Sequence, residues 1–310
     1  MSESPSLDMS VRVGGLVLKN PVITASGTYG YADIQPVEAM AQLGAACTKG
    51  LSLRPREGNP PPRIWETEAG MLNAIGLANM GIERFLGESL PALKAGGVTV
   101  IANIYGESEE DFASLAALLG GAGGVSAIEL NVSCPNVSRG GMLFGRDPSM
   151  TSRLTRKVAA ASSLPVIVKL TPQAEDLAAV ARAAQDAGAV AVTAVNTFRA
   201  MAIDPLTGRP RLSTVTGGLS GPAVKPIVMR MVYELAGALS IPVIASGGVM
   251  TGLDAVEYLM AGACAVQVGM AGLLRPQAPF DILAQLEAHC REHRTSPAAL
   301  TGLTRRLLSE

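Results

Sequence analysis

The order of apolar segments predicts an α/β chain folded as a (β/α)8 TIM barrel, with a small N-terminal hairpin and long insertions on its active-site face. Three observations carry this. Eight short apolar runs alternate with helix-length stretches. The runs are continuous rather than alternating in polarity, as in parallel strands buried on both faces. Eight such units over roughly 250 residues is the usual arithmetic of this barrel. No composition break or linker divides the 310 residues, so the chain reads as one domain over residues 1–310. An open doubly wound sheet is the alternative, but Ser26-Gly-Thr-Tyr-Gly30 lacks the G-x-G-x-x-G spacing that its first turn would carry.

Taken in order, Val11 to Lys19 alternates around glycines and predicts the hairpin. Pro21–Ala25 is the first strand, and a helical stretch from about Val37 to Leu43 leads to the second, Ala45–Thr48. A long connection, Leu51 to Met80, follows; loops of that length in compact domains are usually functional. The regular beat then sets in. Helix Ile82–Lys94 precedes strand Val98–Asn103, and helix Glu109–Leu119 precedes strand Ala127–Val132. Helix Ser149–Ala161 precedes strand Pro165–Leu170, and helix Ala174–Ala187 precedes strand Val190–Asn196. A second long insertion, Thr197 to Gly221, leads into helix Lys225–Leu239 and strand Pro242–Ala245. Helix Leu253–Met260, strand Ala263–Val268 and a helix around Phe280–Arg291 complete the series.

Composition excludes several classes of function. A net charge of −1 gives no electrostatic reason to expect a nucleic-acid or membrane-surface partner. Aromatic residues at 4% are too few for base-stacking surfaces. The first residues have neither a basic region nor an apolar core, so no signal peptide is expected, and no uninterrupted apolar run of ~18 residues appears. The expected location is cytoplasmic. Cys47, Cys134, Cys264 and Cys290 are scattered without metal-type spacing and read as reduced thiols. His289 and His293 flank Cys290 in H-C-x-x-H, which reads as a solvated helix face, so no metal site is expected. With only those two histidines in the chain, chemistry elsewhere must run without an imidazole.

In such a barrel ligands bind at the C-terminal strand ends. Those ends carry Ser26, Lys49, Asn103, Asn131 with Ser133 and Cys134, Lys169, Asn196 with Thr197, Gly247-Gly248 and Gly269. A buried lysine must be paired or shift its pKa, so Lys49 and Lys169 predict a ligand bearing negative charge. The last two strands end in glycines, Ser246-Gly-Gly248 and Val268-Gly269, where backbone N–H groups can approach a phosphate; Gly221 opens the preceding helix towards the same place. A barrel holding FMN by its phosphate fits this pattern, with a lysine beside the flavin ring and asparagine amides around it. Pyridoxal phosphate is the competing use of such a lysine.

The stretch Glu129-Leu-Asn-Val-Ser-Cys-Pro-Asn136 gathers the chemistry. Pro135 fixes its own φ and biases Cys134 towards an extended conformation, while Gly140-Gly141 just beyond suit a moving flap. A thiol there is either a small core filler or an acid/base beside a mobile loop.

At these residues the chain resembles the class 1 dihydroorotate dehydrogenases, FMN-dependent barrels of pyrimidine synthesis. The resemblance runs over essentially the whole chain. It is carried by Asn20-Pro-Val-Ile-Thr-Ala-Ser-Gly-Thr28, Thr48-Lys-Gly50, Gly58-Asn-Pro-Pro-Pro-Arg63, Met71-Leu-Asn-Ala-Ile-Gly-Leu77, Asn131-Val-Ser-Cys-Pro-Asn136, Val168-Lys-Leu-Thr171, Ala194-Val-Asn-Thr197, Gly217-Gly-Leu-Ser-Gly-Pro222 and Ser246-Gly-Gly248. It implies that Cys134 is the base taking the C5 proton of dihydroorotate while hydride passes from C6 to FMN. It also implies that Lys49, Asn73, the Ala74-Ile75-Gly76-Leu77 backbone, Asn131, Asn136, Asn196 and Thr197 hold the substrate. Ser26, Lys49, Gly50, Asn103, Asn131, Lys169 and Val195 would line the isoalloxazine and ribityl chain of one FMN per chain. Gly221, Gly247, Gly248, Gly269 and Met270 would surround its phosphate.

Within class 1, the run Asn136-Val-Ser-Arg-Gly-Gly-Met-Leu-Phe-Gly145 resembles the NAD-linked form, class 1B. That likeness implies a homodimer joined in a heterotetramer with a second subunit carrying FAD and a [2Fe-2S] cluster. This chain has no cysteine cluster or dinucleotide fingerprint of its own for those groups. Two departures stand out: Met270, where a small hydroxyl residue is common in the family, and Leu77-Ala-Asn-Met80 in place of a more usual Gln-Asn-Pro. The alternatives are the fumarate-linked class 1A enzyme, a dihydropyrimidine dehydrogenase-like reductase of uracil or thymine, and a colourless phosphate-binding barrel without redox activity.

Overall fold

The computed structural model describes residues 7–31, 34–133, 135–136 and 142–310, and of residues 135, 136, 142 and 143 the backbone only. Eight parallel strands close into a barrel: β1 (Val22–Thr24), β2 (Ala45–Cys47), β3 (Val100–Ile104), β4 (Ala127–Asn131), β5 (Val166–Lys169), β6 (Ala191–Ala194), β7 (Val243–Ser246) and β8 (Ala263–Val268). Each pairs with its neighbours in chain order, and β8 returns to β1. The expected TIM barrel is the observed fold.

Period-2 geometry sorts each strand between two cores. Outward residues such as Val100, Ile128, Val168 and Val192 pack under the helices. Inward residues such as Ile23, Ile101, Ala127, Ile167 and Ile244 fill the lumen. The hairpin of strands Val11–Val13 and Leu16–Leu18 adds Val11, Val13 and Leu18 to that lumen cluster. A Cβ on Gly14 at its turn would lie 2.7 Å from the Val190 Cβ, just ahead of β6, so the hairpin plugs the N-terminal end of the barrel. Only the opposite end is left for a ligand.

The helices start on the caps their sequences offer. Ser108 with Asp111, and Thr251 with Asp254, form reciprocal capping boxes, while Asp147, Asp176 and Ser296 accept from the N3 amides of their helices. The stretch expected as one helix over Ile82–Lys94 contains a π segment, Phe85–Ser89, between the helices Ile82–Arg84 and Leu90–Ala95. Pro91 has no N–H to offer Gly87, and the Leu90 amide reaches back to the Phe85 carbonyl instead.

The two long insertions are not open loops. The first contains strands Ile64–Thr67 and Gly70–Asn73, the second Phe198–Met201 and Thr216–Ser220. Together they make a four-stranded antiparallel sheet, pairing Gly218 with Asn73 and Leu219 with Leu72. Segments 125 residues or more apart in sequence thus build one roof over the C-terminal strand ends. Two short helices, Pro297–Leu300 and Leu303–Ser309, follow the expected last helix, observed as Ala278–Glu292. No helix among the described residues is long and apolar enough to cross a membrane.

Candidate active site

A cleft of about 420 Å3 opens between the C-terminal strand ends and the roof, within the ordinary size range of small-ligand sites. Of the strand-end and loop residues nominated from sequence that lie fully among the described residues, Ser26, Lys49, Gly50, Asn73, Ala74, Ile75, Gly76, Leu77, Asn103, Asn131, Lys169, Val195, Asn196, Thr197, Gly221, Gly247, Gly248, Gly269 and Met270 line it, and Ser133 does not. Cys134 lies outside the described residues. Asn136 has its backbone on the short strand Pro135–Asn136, paired antiparallel with Met142–Leu143; its side chain also lies outside them. Lys49 follows β2 by two residues and Lys169 ends β5, and no carboxylate is among the described residues lining the cleft.

One end is a backbone cradle. Gly221 has φ +109° and Gly248 φ +70°, values that favour glycine. A Cβ on Gly248 would come within 2.7 Å of the Lys225 Cβ and 3.0 Å of the Gly221 carbonyl, so the two chain segments meet only because the side chain is missing. A Cβ on Gly221 would sit 2.4 Å from the Met270 sulfur, which shows how the unusual Met270 is accommodated: it packs into the space that Gly221 leaves. Lys225, beside this cradle, is held by Asp254 and Glu257 in ion pairs. With Lys225 committed to those carboxylates, this end, among the described residues, offers backbone rather than a free side-chain cation.

The floor is a layer of polar side chains across the barrel lumen. The Glu129 carboxylate accepts from Asn103 Nδ2 at 2.7 Å, Thr193 Oγ1 at 2.8 Å, Gln267 Nε2 at 2.5 Å and the Cys47 thiol at 3.3 Å. Lys169 Nζ donates to Gln267 Oε1 at 2.7 Å and stands 3.7 Å from Glu129 Oε1. Glu129 has no solvent-exposed surface and Lys169 is 6% exposed. Burial alone would push the Glu129 carboxyl up. The Lys169 charge and the donors Asn103, Gln267 and Thr193 outweigh it and hold the group below the usual glutamate range. Burial, and next the Glu129 charge, push the Cys47 thiol well up, so it stays protonated as a donor.

This floor fixes what the cleft sees. Because Asn103 gives its amide N–H to Glu129, its Oδ1 is left as a buried acceptor without a hydrogen-bond partner, at a residue lining the cleft. An orphaned buried acceptor calls for a donor on the ligand.

At the other end, Asn196 Nδ2 donates to Asn131 Oδ1 at 3.2 Å and to Ser133 Oγ at 3.0 Å. The Ser133 amide also donates to Asn131 Oδ1, at 3.2 Å. Two asparagines are thereby locked around the residue that precedes Cys134. Asn73, on the roof, gives its amide to the Gly218 carbonyl at 3.2 Å. A side chamber of about 340 Å3 shares Leu77, Asn131, Asn196 and Thr197 with the cleft and adds Ser133, Gln173 and Arg199.

Sequence reasoning missed Glu129, Gln267 and Thr193, along with the roof residues Ile64, Phe198 and Leu219 that also line the cleft or its floor. The floor had a signal: Glu129 and Asn131 are two apart on one strand and therefore share a face, so an acidic residue inside an apolar strand pointed into the lumen one layer below Asn131. The expectation that both lysines await an anionic ligand needs refining, since Lys169 already has a protein counter-charge. Outside the cleft lining, the His289 and His293 rings lie with centroids 4.3 Å apart, tilted by 41°, and Cys290 between them in sequence is buried. No group of three or more His, Cys, Asp or Glu placed to hold a metal occurs among the described residues.

Residues 8–289 match the family model described as dihydroorotate dehydrogenase. A relative from Geobacter sp. (strain M21), named dihydroorotate dehydrogenase B (NAD(+)), catalytic subunit, is 49% identical over 297 residues, 95% of this chain and 97% of its own. A protein of the same name from Maridesulfovibrio salexigens is 47% identical over 282 residues, 90% of this chain and 92% of its own. Among solved structures, that of DHODH from Eimeria tenella in complex with ferulenol superposes with a TM-score of 0.78 at 21% identity. It covers 99% of this chain and 91% of the other, and speaks to the fold.

Proposed function

The chain belongs to the dihydroorotate dehydrogenase family, and on that footing we propose that it oxidises (S)-dihydroorotate to orotate with one bound FMN, its electrons passing to NAD through a partner subunit. The observation that carries this reading is the sorting of the cleft: a glycine cradle at one end, a lysine and an orphaned amide oxygen in the middle, and asparagines locked to each other and to Ser133 at the other. The residues present fit FMN. Gly221, Gly247, Gly248, Gly269 and Met270 would surround a phosphate with backbone N–H groups. Ser26, Gly50, Asn103, Lys169 and Val195 would line the ring and ribityl chain, with Asn103 Oδ1 free to accept from a donor on the cofactor.

FMN supplies the hydride acceptor. The chain's own part is to hold the substrate and move one proton. Lys49, Asn73, the 74–77 backbone, Asn131, Asn136, Asn196 and Thr197 would bind the anionic dihydropyrimidine, and Cys134 would take the proton from C5. Elimination supports that assignment. His289 sits on the helix Ala278–Glu292 and His293 just past its end, outside the cleft lining, and the Cys47 and Cys264 thiols are pushed up by burial, Cys264 to about 12, so neither ionises near neutrality.

The relatives' names speak of a catalytic subunit, which supports a second subunit here; we assign to it the FAD and [2Fe-2S] cluster. The second insertion exposes Met201, Ile203 and Leu206, apolar side chains that suit a homodimer or subunit contact within a heterotetramer, and we place the assembly in the cytoplasm. The acceptor is tested by assaying the purified chain with dihydroorotate and either NAD or fumarate, with and without the FAD/iron–sulfur subunit. NAD reduction is expected only when that subunit is present. Rapid fumarate reduction by the chain alone would move it to the fumarate-linked class.

A further inference from the structure

We infer that Glu129 is a positioning residue for the flavin site, setting both the charge that Lys169 presents and the direction in which the Asn103 amide points. This rests on the FMN reading above. The chemistry of the reaction makes no use of Glu129, yet it is a fully buried carboxylate on β4, in register with Asn103 of β3 and one layer below Lys169 of β5. All four of its hydrogen-bonding neighbours donate to it, and Gln267 links it to Lys169 by giving its amide to Glu129 and accepting from Lys169. It does not line the cleft. Its influence on a ligand therefore passes through the groups that do.

Two consequences follow from charge and donor count. First, the negative charge beneath Lys169 offsets part of the positive charge that a ligand in the cleft meets. A reduced flavin carries more negative charge on its ring than an oxidised one, so removing the Glu129 charge favours the reduced form. Second, a glutamine at this position offers one acceptor and one NH2 donor to four donating neighbours. At least one neighbour must turn. Asn103 can do so by reversing its amide, which would put an N–H where the cleft now has the orphaned oxygen.

The test is the midpoint potential of bound FMN, with FMN affinity and thermal midpoint measured alongside, in wild type and Glu129→Gln. The substitution is expected to raise the affinity for reduced relative to oxidised FMN about tenfold, equivalent to about 30 mV for a two-electron couple. It is also expected to weaken binding of oxidised FMN, through the reversed Asn103 amide. A Glu129→Gln protein that is less stable but keeps the wild-type potential has lost only a structural residue, and overturns the inference. If Glu129→Gln does not fold, Glu129→Asp is measured in its place. It keeps the charge but draws it back from Lys169, so a smaller shift of the same sign is expected and an unchanged potential overturns the inference. A wild-type chain that takes up no FMN is a separate result, which overturns the flavin reading and this inference with it.

Discussion

Replacing Cys134 by alanine is expected to slow dihydroorotate oxidation by about 10²- to 10⁴-fold, the usual contribution of a positioned general base, while FMN binding is kept. The size follows from the lack of a substitute. Among the described residues lining the cleft there is no histidine and no carboxylate, and the two lysines are donors rather than bases while protonated. The nearest alternatives, Ser133 and the asparagines 131 and 196, are tied to one another by hydrogen bonds. An unassisted thiol has a pKa near ~8.5, so wild-type turnover should climb with pH through that region as the thiolate forms. The alanine variant should lose the climb along with the rate. Stopped-flow reduction of the bound flavin across pH 6–10, on roughly the scale of those reference values, separates the two proteins. A flat wild-type profile counts against Cys134 as the base.

The second large effect concerns stability. Lys169→Met leaves Glu129 buried without its counter-charge, a class of change that costs about 3–5 kcal/mol. The double variant Glu129→Gln with Lys169→Met carries no buried charge and should recover most of that loss. The pH dependence has a definite sign. In wild type the Glu129 carboxyl titrates below its unfolded value, so its contribution is present above the ordinary carboxylate range and is lost as pH falls through the lowered folded pKa. Without Lys169 the burial cost prevails and the folded pKa rises, so the variant's penalty is greatest near neutrality. The gap between wild type and Lys169→Met should therefore narrow as pH falls through the carboxylate range towards ~4 and below. Urea-unfolding midpoints of the three proteins at several pH values measure it. Equal midpoints for wild type and Lys169→Met at neutral pH would show that the pair contributes nothing to folding.

Much of this molecule was legible in the residue order, and the reason is physical. A parallel strand buried on both faces must be apolar along its length, so Val166–Lys169 or Ala191–Ala194 announces itself whatever surrounds it. Fold-level geometry then places strand-end residues, so Lys49, Asn103, Lys169 and the glycines 247, 248 and 269 could be gathered before any coordinate was known. What escaped depends on pairing across long separations. The roof joins Asn73 to Gly218, and neither insertion alone shows the alternation that would reveal its strands. The floor escaped for a related reason. Glu129 reads as one acidic residue in an apolar strand until Gln267, 138 positions later, is found to hold it. The π segment at Phe85–Ser89 follows from Pro91, whose missing donor was visible, although the adjustment it forces was not.

On the proposed function the cleft holds FMN, which takes hydride from dihydroorotate. An anaerobic visible spectrum of the purified chain, before and after adding dihydroorotate, tests both halves at once. The expected result is a yellow protein whose flavin absorbance bleaches on addition. A yellow protein left unchanged would contradict the substrate, and a colourless chain that cannot be reconstituted with FMN would contradict the cofactor and the redox reading with it.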